Sequence, residues 1–373
     1  MRVRQRYRKR DKRMQRFWET VVEPFFEILQ PKVIVEIGSA TGGNTENLLG
    51  YCRRSGATLH VIDPAPKYEV SDWQQKHGQH FVFHKDLSLN ALPLIEGYDA
   101  VLIDGDHNWY TVLNELKLIE ETCQERSQDF PLVMLHDIGW PYGRRDLYYN
   151  PDTIPEEYRN PYGKKGMLPG VPRLVEEGGM NPNANNAVWE NKPSNGVLTA
   201  VEDFLHETQR ELELLKLPGM HGLGILFTKQ LKERNYKLAQ LLEKLDFSPF
   251  VERYVEGVEE NRLDIEIRRR EAQKKLKGKR QELRGKRQEL KAAKRDVERL
   301  TKWMETLDEE ISVLLKSRQW RIGNTVEELY RKTTLKSDEP TAAEHLKEVL
   351  GQFRTWRKDQ ERLEQSLEDA GEN

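Results

Sequence analysis

Short apolar runs recur along the first two thirds of the sequence, and most of them end at a glycine, an acid or a histidine. Runs rich in Val, Ile and Leu, separated by segments of helical apolar spacing, predict parallel strands that alternate with helices. The predicted strands cover residues 33–37, 58–62, 80–84, 100–103 and 132–135, and a last strand covers 222–227.

Helices and a hairpin complete this pattern. Apolar residues at helical spacing over 17–29 predict a helix that covers the sheet before its first strand, and residues 44–52 are predicted as a helix after it. Residues 197–215 are predicted as a helix that runs into a strand, which a loop at 218–222 turns back as a hairpin. The pattern predicts an α/β fold with a doubly wound, Rossmann-like sheet of seven strands.

From residue 230 onward Gly and Pro become rare, and apolar residues recur every seven positions. This spacing predicts a helical arm with coiled-coil character over 230–318, followed by short helices in 319–373. The first half is weaker, since Lys279 and Lys286 take apolar positions. We expect the arm to form a homo-oligomer; a helical appendage folded back on the rest of the chain is the alternative. The heptad residues are Leu276, Leu283, Leu290, Val297, Met304 and Ile311. Leu300, Leu307 and Leu314 each follow one of the last three by three positions.

Composition excludes some classes of protein but names no partner. Charged residues make up 33% of the sequence and the net charge is -2, so the overall charge does not favour nucleic acid. Cys52 and Cys123 have no paired or metal-type spacing, which argues against a disulfide framework and suits a reducing compartment. No apolar run approaches about 20 residues. We therefore expect a cytoplasmic protein with at most peripheral contact to the inner face of a membrane.

Residues 1–16 form a tail dominated by Arg and Lys. Such a tail can bind nucleic acid or an anionic lipid surface. We favour the interpretation that the tail is solvated and has no fixed partner.

The first strand ends in a turn that suits a nucleoside-containing ligand. Gly38, Gly42 and Gly43 let a ligand approach the backbone, and the helix start offers amide donors. Asp63 ends the second strand about 20 residues later, where an acid can accept hydrogen bonds from ribose hydroxyls. The turn lacks the three-glycine pattern of dinucleotide sites, so a cofactor without a pyrophosphate fits better. An ordinary tight turn is the alternative.

Acids and histidines follow the fourth and fifth strands. The carboxyl ends of parallel strands meet at one edge of the sheet, where open α/β folds bind ligands. We therefore expect these side chains to converge in one pocket. An oxygen-rich set without Cys favours Mg²⁺ or Mn²⁺ over Zn²⁺, and polar loop residues without a metal are the alternative. The set is Asp104, Asp106, His107, His136 and Asp137.

Residues 139–196 form a long insertion rich in Pro, Gly, Asn and Tyr, and are predicted as a structured loop or lid. Its aromatic and cationic side chains suit stacking on sugar rings and binding of anionic groups. Because the insertion directly follows His136 and Asp137, we expect it to recognise a substrate; a surface loop packed on its own aromatics is the alternative. The candidate substrate-binding residues are Trp140, Tyr142, Arg144, Arg145 and Tyr149.

Four ordered segments, VEIGSATGG, VIDP, DGDHNWYTV and LHDIGW, resemble the motifs of class I S-adenosylmethionine-dependent methyltransferases. The most similar subgroup contains the metal-dependent macrolide sugar O-methyltransferases and relatives from cephalosporin biosynthesis. The resemblance covers residues 17–229. It implies a seven-stranded methyltransferase sheet, S-adenosylmethionine as the methyl donor, and a hydroxyl of a sugar, in a glycan or a glycosylated metabolite, as the acceptor.

The resemblance also implies roles for individual residues at the cofactor. The strand end and the turn would line its methionine part, the second strand would hold the ribose, and the third strand end would lie near the adenine. Glu36, Gly38 and Ser39 would line the methionine part, Asp63 would hold the ribose and Asp86 would lie near the adenine. Gly42 and Asp104 complete the predicted cofactor site.

Asp104, His136 and Asp137 match the metal ligands of the subgroup, and His107 matches its general base. Relatives commonly carry a second carboxylate where His136 stands. This departure bears on which metal, Mg²⁺ or Mn²⁺, would bind, and on whether one binds.

Residues 317–324 contain an S-x-x-W-R-x-G segment similar to one that follows coiled coils in bacterial surface-polysaccharide enzymes. The segment implies a polysaccharide-assembly context and no chemistry. The combined interpretation is an O-methyltransferase that uses S-adenosylmethionine and a divalent cation on a sugar hydroxyl. Its rivals are a methyltransferase of another small molecule and a non-catalytic nucleic-acid or scaffold protein with a vestigial cofactor fold.

Overall fold

The structure is a computed structural model, and it describes residues 14–334 and 340–371. Residues 1–13 of the predicted basic tail therefore lie outside the described residues. The end of that tail is not solvated, because Met14 is buried and begins a short 3₁₀ helix, Met14–Phe17.

The strands of the described residues lie in one large sheet and two small ones. In chain order they are β1 (Val33–Ile37), β2 (Thr58–Ile62), β3 (Phe81–His84), β4 (Ala100–Ile103), β5 (Leu132–His136), β6 (Leu147–Tyr148), β7 (Tyr162–Gly163), β8 (Gly166–Leu168), β9 (Val171–Val175), β10 (Asn185–Ala187), β11 (Leu212–Leu217) and β12 (Leu223–Thr228).

The large sheet has seven strands in the order β11-β12-β5-β4-β1-β2-β3. Strands β1 to β5 are parallel, whereas β12 pairs antiparallel with both β5 and β11. This confirms the predicted Rossmann-like α/β fold with a seven-stranded sheet, including the hairpin that closes it.

Successive residues of β1 point into different cores. Ile34 packs in the core that includes helix Gly43–Ser55, whereas Val35 packs in the core that includes helix Trp109–Glu125. Both side chains are fully buried. A parallel strand covered on both faces reads as an unbroken apolar run, which is why the sequence predicts its bounds well.

The predicted helix over 17–29 is three pieces: the 3₁₀ helix, a π-helix Trp18–Val22 and an α-helix Glu23–Leu29. Pro24 sits in the first turn of the α-helix, where its missing N–H interrupts the hydrogen-bond ladder of the segment before it. The other helices of the described residues are Gly43–Ser55, Val70–His77, Ser88–Ala91, Trp109–Glu125, Val197–Glu207, Lys229–Arg234, Tyr236–Leu245, Pro249–Lys316, Arg318–Thr334 and Ala342–Gly371.

The insertion at 139–196 is more regular than its sequence suggests. It contains the three-stranded sheet β6-β10-β7 and the hairpin β8–β9. It also has its own core, in which Tyr142, Met167 and Met180 pack against Leu263 and Ile267 of helix Pro249–Lys316. Strands of two to five residues are too short to show a hydrophobic period, so the sequence predicts a loop there.

The described residues form two compact units, which divide between Lys274 and Lys275. The domain boundary predicted after residue 229 falls inside the first unit. The reason is burial, since Leu238 and Leu242 join the core of the large sheet and Leu263 joins the core of the insertion.

In the second unit, Arg354 Nε donates a hydrogen bond of 3.0 Å to Asp308 Oδ1. Helix Ala342–Gly371 therefore lies against the last part of helix Pro249–Lys316. Within the described ranges, none of the helices combines the length and the apolar character needed to cross a membrane.

Candidate active site

Strand β1 ends at a glycine turn that touches the end of β4. Gly38 has a φ of 86°, and a Cβ atom at this position would clash with the carbonyl oxygen of Asp104. Only glycine combines this backbone conformation with such a close approach. The turn is therefore held directly against the strand end that carries Asp104.

Asp63 ties the glycine turn to the end of β2. Its Oδ2 accepts hydrogen bonds from the amides of Ser39 (3.0 Å) and Ala40 (2.8 Å) and from the Ser39 hydroxyl (2.8 Å). Its Oδ1 accepts one from the amide of Ala65 (2.8 Å). A carboxylate oxygen has two lone pairs, so Oδ1 keeps the capacity to bind a ligand hydroxyl.

Glu36 is buried beside the turn and does not line the cavity. It accepts hydrogen bonds from Asn44 Nδ2 (2.9 Å) and from the Thr45 hydroxyl (2.5 Å). Burial raises the pKa of Glu36 to about 7. In this conformation Glu36 joins β1 to the start of the next helix, which differs from the direct cofactor contact predicted for it.

Four titratable side chains meet where β4 and β5 end, and we refer to Asp104, His107, His136 and Asp137 as the edge cluster. His107 Nε2 lies 2.8 Å from Asp137 Oδ2 and 3.4 Å from Asp104 Oδ1. His136 Nδ1 lies 3.0 Å from Asp104 Oδ1 and 3.2 Å from Asp137 Oδ2. One ligand atom from each residue lies within 4.8 Å of all the others, so the donor atoms suit a single metal ion.

The contacts of His136 favour a positive charge in this cluster. His136 Nε2 lies 3.3 Å from the carbonyl oxygen of Met220, a contact that only a protonated nitrogen satisfies. A neutral His136 would therefore turn the lone pair of Nδ1 toward Asp104 and Asp137. These electron-rich atoms repel each other unless a proton or a cation lies between them. The cluster accordingly fits a divalent metal, held by Asp104, His136 and Asp137.

With protons as the only positive charges, the edge cluster is a set of ion pairs. Burial alone would lower the pKa of His107, but the charge of Asp137 and the hydrogen bonds to Asp104 and Asp137 outweigh it and raise the pKa to about 10. The same balance raises the pKa of His136. Burial works against ionised Asp104 too, yet the charge of His136 prevails and lowers the pKa of Asp104 to about 2.

His107 stands between the edge cluster and the insertion. Its ring centroid lies 5.7 Å from that of Tyr142 and 5.8 Å from that of Tyr149. Its second ring nitrogen, Nδ1, is buried without a hydrogen-bond partner among residues 14–334 and 340–371. The backbone oxygen of His107 accepts a hydrogen bond of 2.9 Å from the amide of Leu147, which fixes β6 beside the site.

A cavity of about 1090 Å³ connects these parts. Its walls come from the glycine turn, the ends of β2 and β4, the edge cluster and the insertion. The residues that line it include Gly38, Asp63, Leu87, Ser88, Gly105, Asp106, the four residues of the edge cluster, Tyr142, Tyr148, Tyr149, Lys164, Asn181, Asn183, Asn185, His221, Glu266 and Arg270.

Residues 35–138 match a family model described as a methyltransferase domain. This segment contains the glycine turn, Asp63 and the whole edge cluster. The large sheet has the seven strands expected for that kind of domain. The chain therefore contains a methyltransferase domain over these residues.

Solved structures are similar to this chain only at low identity. A Podospora anserina methyltransferase bound to S-adenosylhomocysteine is 18% identical, with a TM-score of 0.35 over 56% of this chain and 76% of that one. The Burkholderia thailandensis 1,6-didemethyltoxoflavin-N1-methyltransferase is 12% identical, with a TM-score of 0.34 over 61% of this chain and 82% of that one. No curated protein matches the sequence. We draw no conclusion about the acceptor from these similarities.

The structure divides the predicted substrate-binding residues of the methyltransferase into two sets. Tyr142 and Tyr149 line the cavity, whereas Trp140, Arg144 and Arg145 do not. Arg144 Nη2 donates to Glu202 Oε1 (2.8 Å). Arg145 is fully buried, and its guanidinium donates to backbone carbonyls of the insertion. Arg145 therefore holds the insertion together, and Arg144 ties it to helix Val197–Glu207, which corrects the predicted contact with an anionic substrate group.

The predicted cofactor residues divide in the same way. Gly38, Asp63 and Asp104 line the cavity. Ser39 and Gly42 shape the turn from outside it, since Ser39 bonds Asp63 and Gly42 lies against the ring of Trp73. Asp86 also lies outside the lining, because its carboxylate bonds the amide of Leu87 and the side chain of Asn90.

Helix Pro249–Lys316 supplies two lining residues that the sequence analysis missed, Glu266 and Arg270. Arg270 Nη1 donates to Asn181 Oδ1 (3.1 Å), and Arg270 Nη2 donates to Glu266 Oε1 (2.7 Å). One feature of the sequence could have predicted them. Glu266 and Arg270 are four residues apart, as are Leu263 and Ile267, and this spacing places a charged pair next to an apolar pair on one helix.

Proposed function

We propose that this methyltransferase is an O-methyltransferase that acts on a hydroxyl of a sugar unit in a glycan or a glycosylated metabolite. A divalent cation, Mg²⁺ or Mn²⁺, would be held by Asp104, His136 and Asp137. One observation carries the proposal: the cavity joins the glycine turn, where the donor is expected, to a buried cluster of carboxylates and imidazoles and then to the insertion.

The donor side needs close approach and a ribose contact. Gly38 leaves room for the methionine part of S-adenosylmethionine against Asp104, and Asp63 Oδ1 is free to accept a hydrogen bond from the ribose. Methyl transfer is an in-line displacement in which a carbon–oxygen bond forms as the carbon–sulfur bond breaks. The protein must therefore mainly align donor and acceptor and receive the hydroxyl proton.

His107 is the residue placed to receive that proton. It lines the cavity beside the edge cluster, but a pKa of about 10 keeps it protonated at neutral pH. Without a cation, Asp104 and Asp137 stabilise the protonated forms of the two imidazoles. A bound cation would balance the carboxylate charges and lower the pKa of His107, so His107 would be neutral and able to act as a general base. The cation would also lower the pKa of an acceptor hydroxyl.

The acceptor side is built from amides and aromatic rings. Asn181, Asn183 and Asn185 carry side chains that both donate and accept hydrogen bonds, as sugar hydroxyls require. Tyr149 offers an exposed ring for stacking on a sugar face. The cations that line this part are Lys164 and Arg270, which take the role predicted for Arg144 and Arg145 if the acceptor carries an anionic group.

The proposal is tested in two steps. Calorimetric titration of S-adenosylmethionine into the pure protein measures donor binding, which we expect at micromolar affinity. Transfer of a labelled methyl group to a panel of sugars, glycosides and lipid-linked glycans then identifies the acceptor. We expect chelator to abolish transfer and Mg²⁺ or Mn²⁺ to restore it.

Each part of the proposal fails on a different result. Absence of donor binding would contradict the cofactor assignment. Transfer that persists in chelator would remove the metal, and transfer only to compounds without a sugar would replace the acceptor class with another small molecule. Placement at a membrane or in a polysaccharide assembly stays a prediction.

A further inference from the structure

The second unit exposes an apolar stripe along one helix. Within helix Pro249–Lys316, the heptad residues before position 301 are each between 50% and 59% exposed. Exposed Leu and Val side chains at regular seven-residue spacing form a seam, which is the surface that a coiled-coil partner covers; Lys279 and Lys286 interrupt it. We call this seam the open stripe; it consists of Leu276, Leu283, Leu290, Val297 and Leu300.

Among the described side chains, helix Ala342–Gly371 pairs with this helix beyond the open stripe. Arg354 pairs with Asp308, and Arg357 Nη2 lies 3.0 Å from Glu305 Oε1. Met304 is correspondingly less exposed, at 37%. Helix Ala342–Gly371 therefore contacts the last heptads of the predicted coiled coil, and the open stripe is the part that is left for another molecule.

The charges beside the open stripe identify the partner and its direction. In heptad notation Glu282 and Glu289 occupy g positions, whereas Arg287 and Lys294 occupy e positions. A parallel, in-register pair of these helices places each g residue beside the e residue five positions later on the other helix. Glu282 would then meet Arg287, and Glu289 would meet Lys294. An antiparallel pair would place acid against acid and base against base.

The remaining charges do not change this direction. Within one chain Glu282 pairs with Lys286 at 3.0 Å through exposed side chains, and such a weak surface pair does not prevent Glu282 from meeting Arg287 of the other helix. Lys279 and Lys286 lie on the seam itself, where a two-stranded coil lets their ammonium groups extend to water along the apolar stems. Lys275 and Arg280 form one unfavourable g–e pair, at the start of the second unit.

We propose that the open stripe binds a second copy of this chain and forms a parallel, in-register, two-stranded coiled coil. The partner is defined by self-complementary flanking charges, which a helix of unrelated sequence would not match. The proposal is independent of the methyltransferase reaction, since it uses residues 276–300 alone.

Light scattering on the full chain tests the copy number. We expect twice the chain mass of 43.8 kDa. Two double variants reverse the flanking charges: Glu282→Arg with Glu289→Lys, and Arg287→Glu with Lys294→Glu. The dissociation constant of each variant dimer should rise at least about tenfold, because both flanking pairs become repulsive. Mixing the two variants should restore a dimer. A monomeric or trimeric wild type, or variants that associate as well as wild type, would overturn the proposal.

Disulfide trapping tests the direction. A parallel, in-register coil places each seam residue beside its own copy, so Leu283→Cys and Val297→Cys should both cross-link under mild oxidation. Gln281→Cys, on the outer face, is the control that should not. The native Cys52 and Cys123 are buried, which limits background. Cross-linking at only one of the two seam positions would indicate an antiparallel coil and overturn the assignment.

Discussion

Two sets of buried polar residues lie close together in the first unit, and they differ in whether they border the cavity. The edge cluster joins two carboxylates to two imidazoles around a point that favours positive charge. The second set, in the insertion, centres on Arg145 and Asp146, which are 0% and 1% exposed. Burial alone therefore does not separate a catalytic set from a structural one.

Most donors of the insertion set have acceptors, although Arg145 Nε is buried without a hydrogen-bond partner among the described residues. Arg145 donates to the carbonyls of Ala187 (2.6 Å) and Pro172 (2.7 Å). Asp146 accepts from the amides of Trp109 (2.7 Å) and Gly196 (2.7 Å). The edge cluster also leaves one buried nitrogen, His107 Nδ1, without a partner among the described residues, but this cluster borders the cavity. Residual binding capacity at a cavity, more than burial, distinguishes a reactive site.

The largest expected effect separates the two sets by chemistry. His107→Ala should lower turnover by about 10²- to 10⁴-fold, the usual contribution of a general base, while the affinity for S-adenosylmethionine stays the same. Methyl transfer and calorimetry on the same preparations measure both quantities.

The matched control for this prediction is His60→Gln, since His60 lies on β2 outside the cavity lining. It should keep wild-type turnover. An active His107→Ala enzyme would assign His107 to a supporting role in the cluster.

The next effect should appear in stability. Arg145→Met leaves several buried carbonyls without donors and Glu190 without its charge partner at 3.4 Å, and should lower the free energy of unfolding by about 3–5 kcal/mol. Arg144→Met is the matched control. Its pair with Glu202 is partly exposed, so the loss should be about 1 kcal/mol or less. Denaturant titration of both variants makes the comparison, and equal losses would contradict the difference in roles.

The smallest effect is a pH dependence of stability in chelator. The pKa of His107 is raised to about 10 in the folded protein, so its stabilising contribution is complete below about 6.5, the ordinary value, and is lost as the pH rises toward 10. The melting temperature of wild type should therefore fall over this range, and that of His107→Asn should fall less.

His60→Gln is again the control. Burial, with the nearby His84, lowers the pKa of His60 to about 4, so His60 is neutral above pH 7 in the folded protein. Its substitution should leave the slope above pH 7 unchanged. A wild-type slope identical to that of His107→Asn would show that His107 forms no ion pair in the folded protein.

The sequence by itself determined the sheet and the position of its chemistry. Strands buried on both faces are unbroken apolar runs, and the acids and histidines after β4 and β5 must meet because parallel strands end at one edge. These features depend on the local pattern of apolar residues and on the strand topology, and the rules for connecting parallel strands leave few possible topologies.

Only the tertiary structure decided which polar residues remain available to a ligand. Arg144, Arg145, Ser39 and Asp86 have the residue types of ligand-binding groups, yet each is bound by a neighbour that is distant in the sequence or hidden in a turn. Glu266 and Arg270 reach the cavity because Leu263 and Ile267 bury their helix against the insertion. Such availability depends on long-range packing, which residue spacing does not encode.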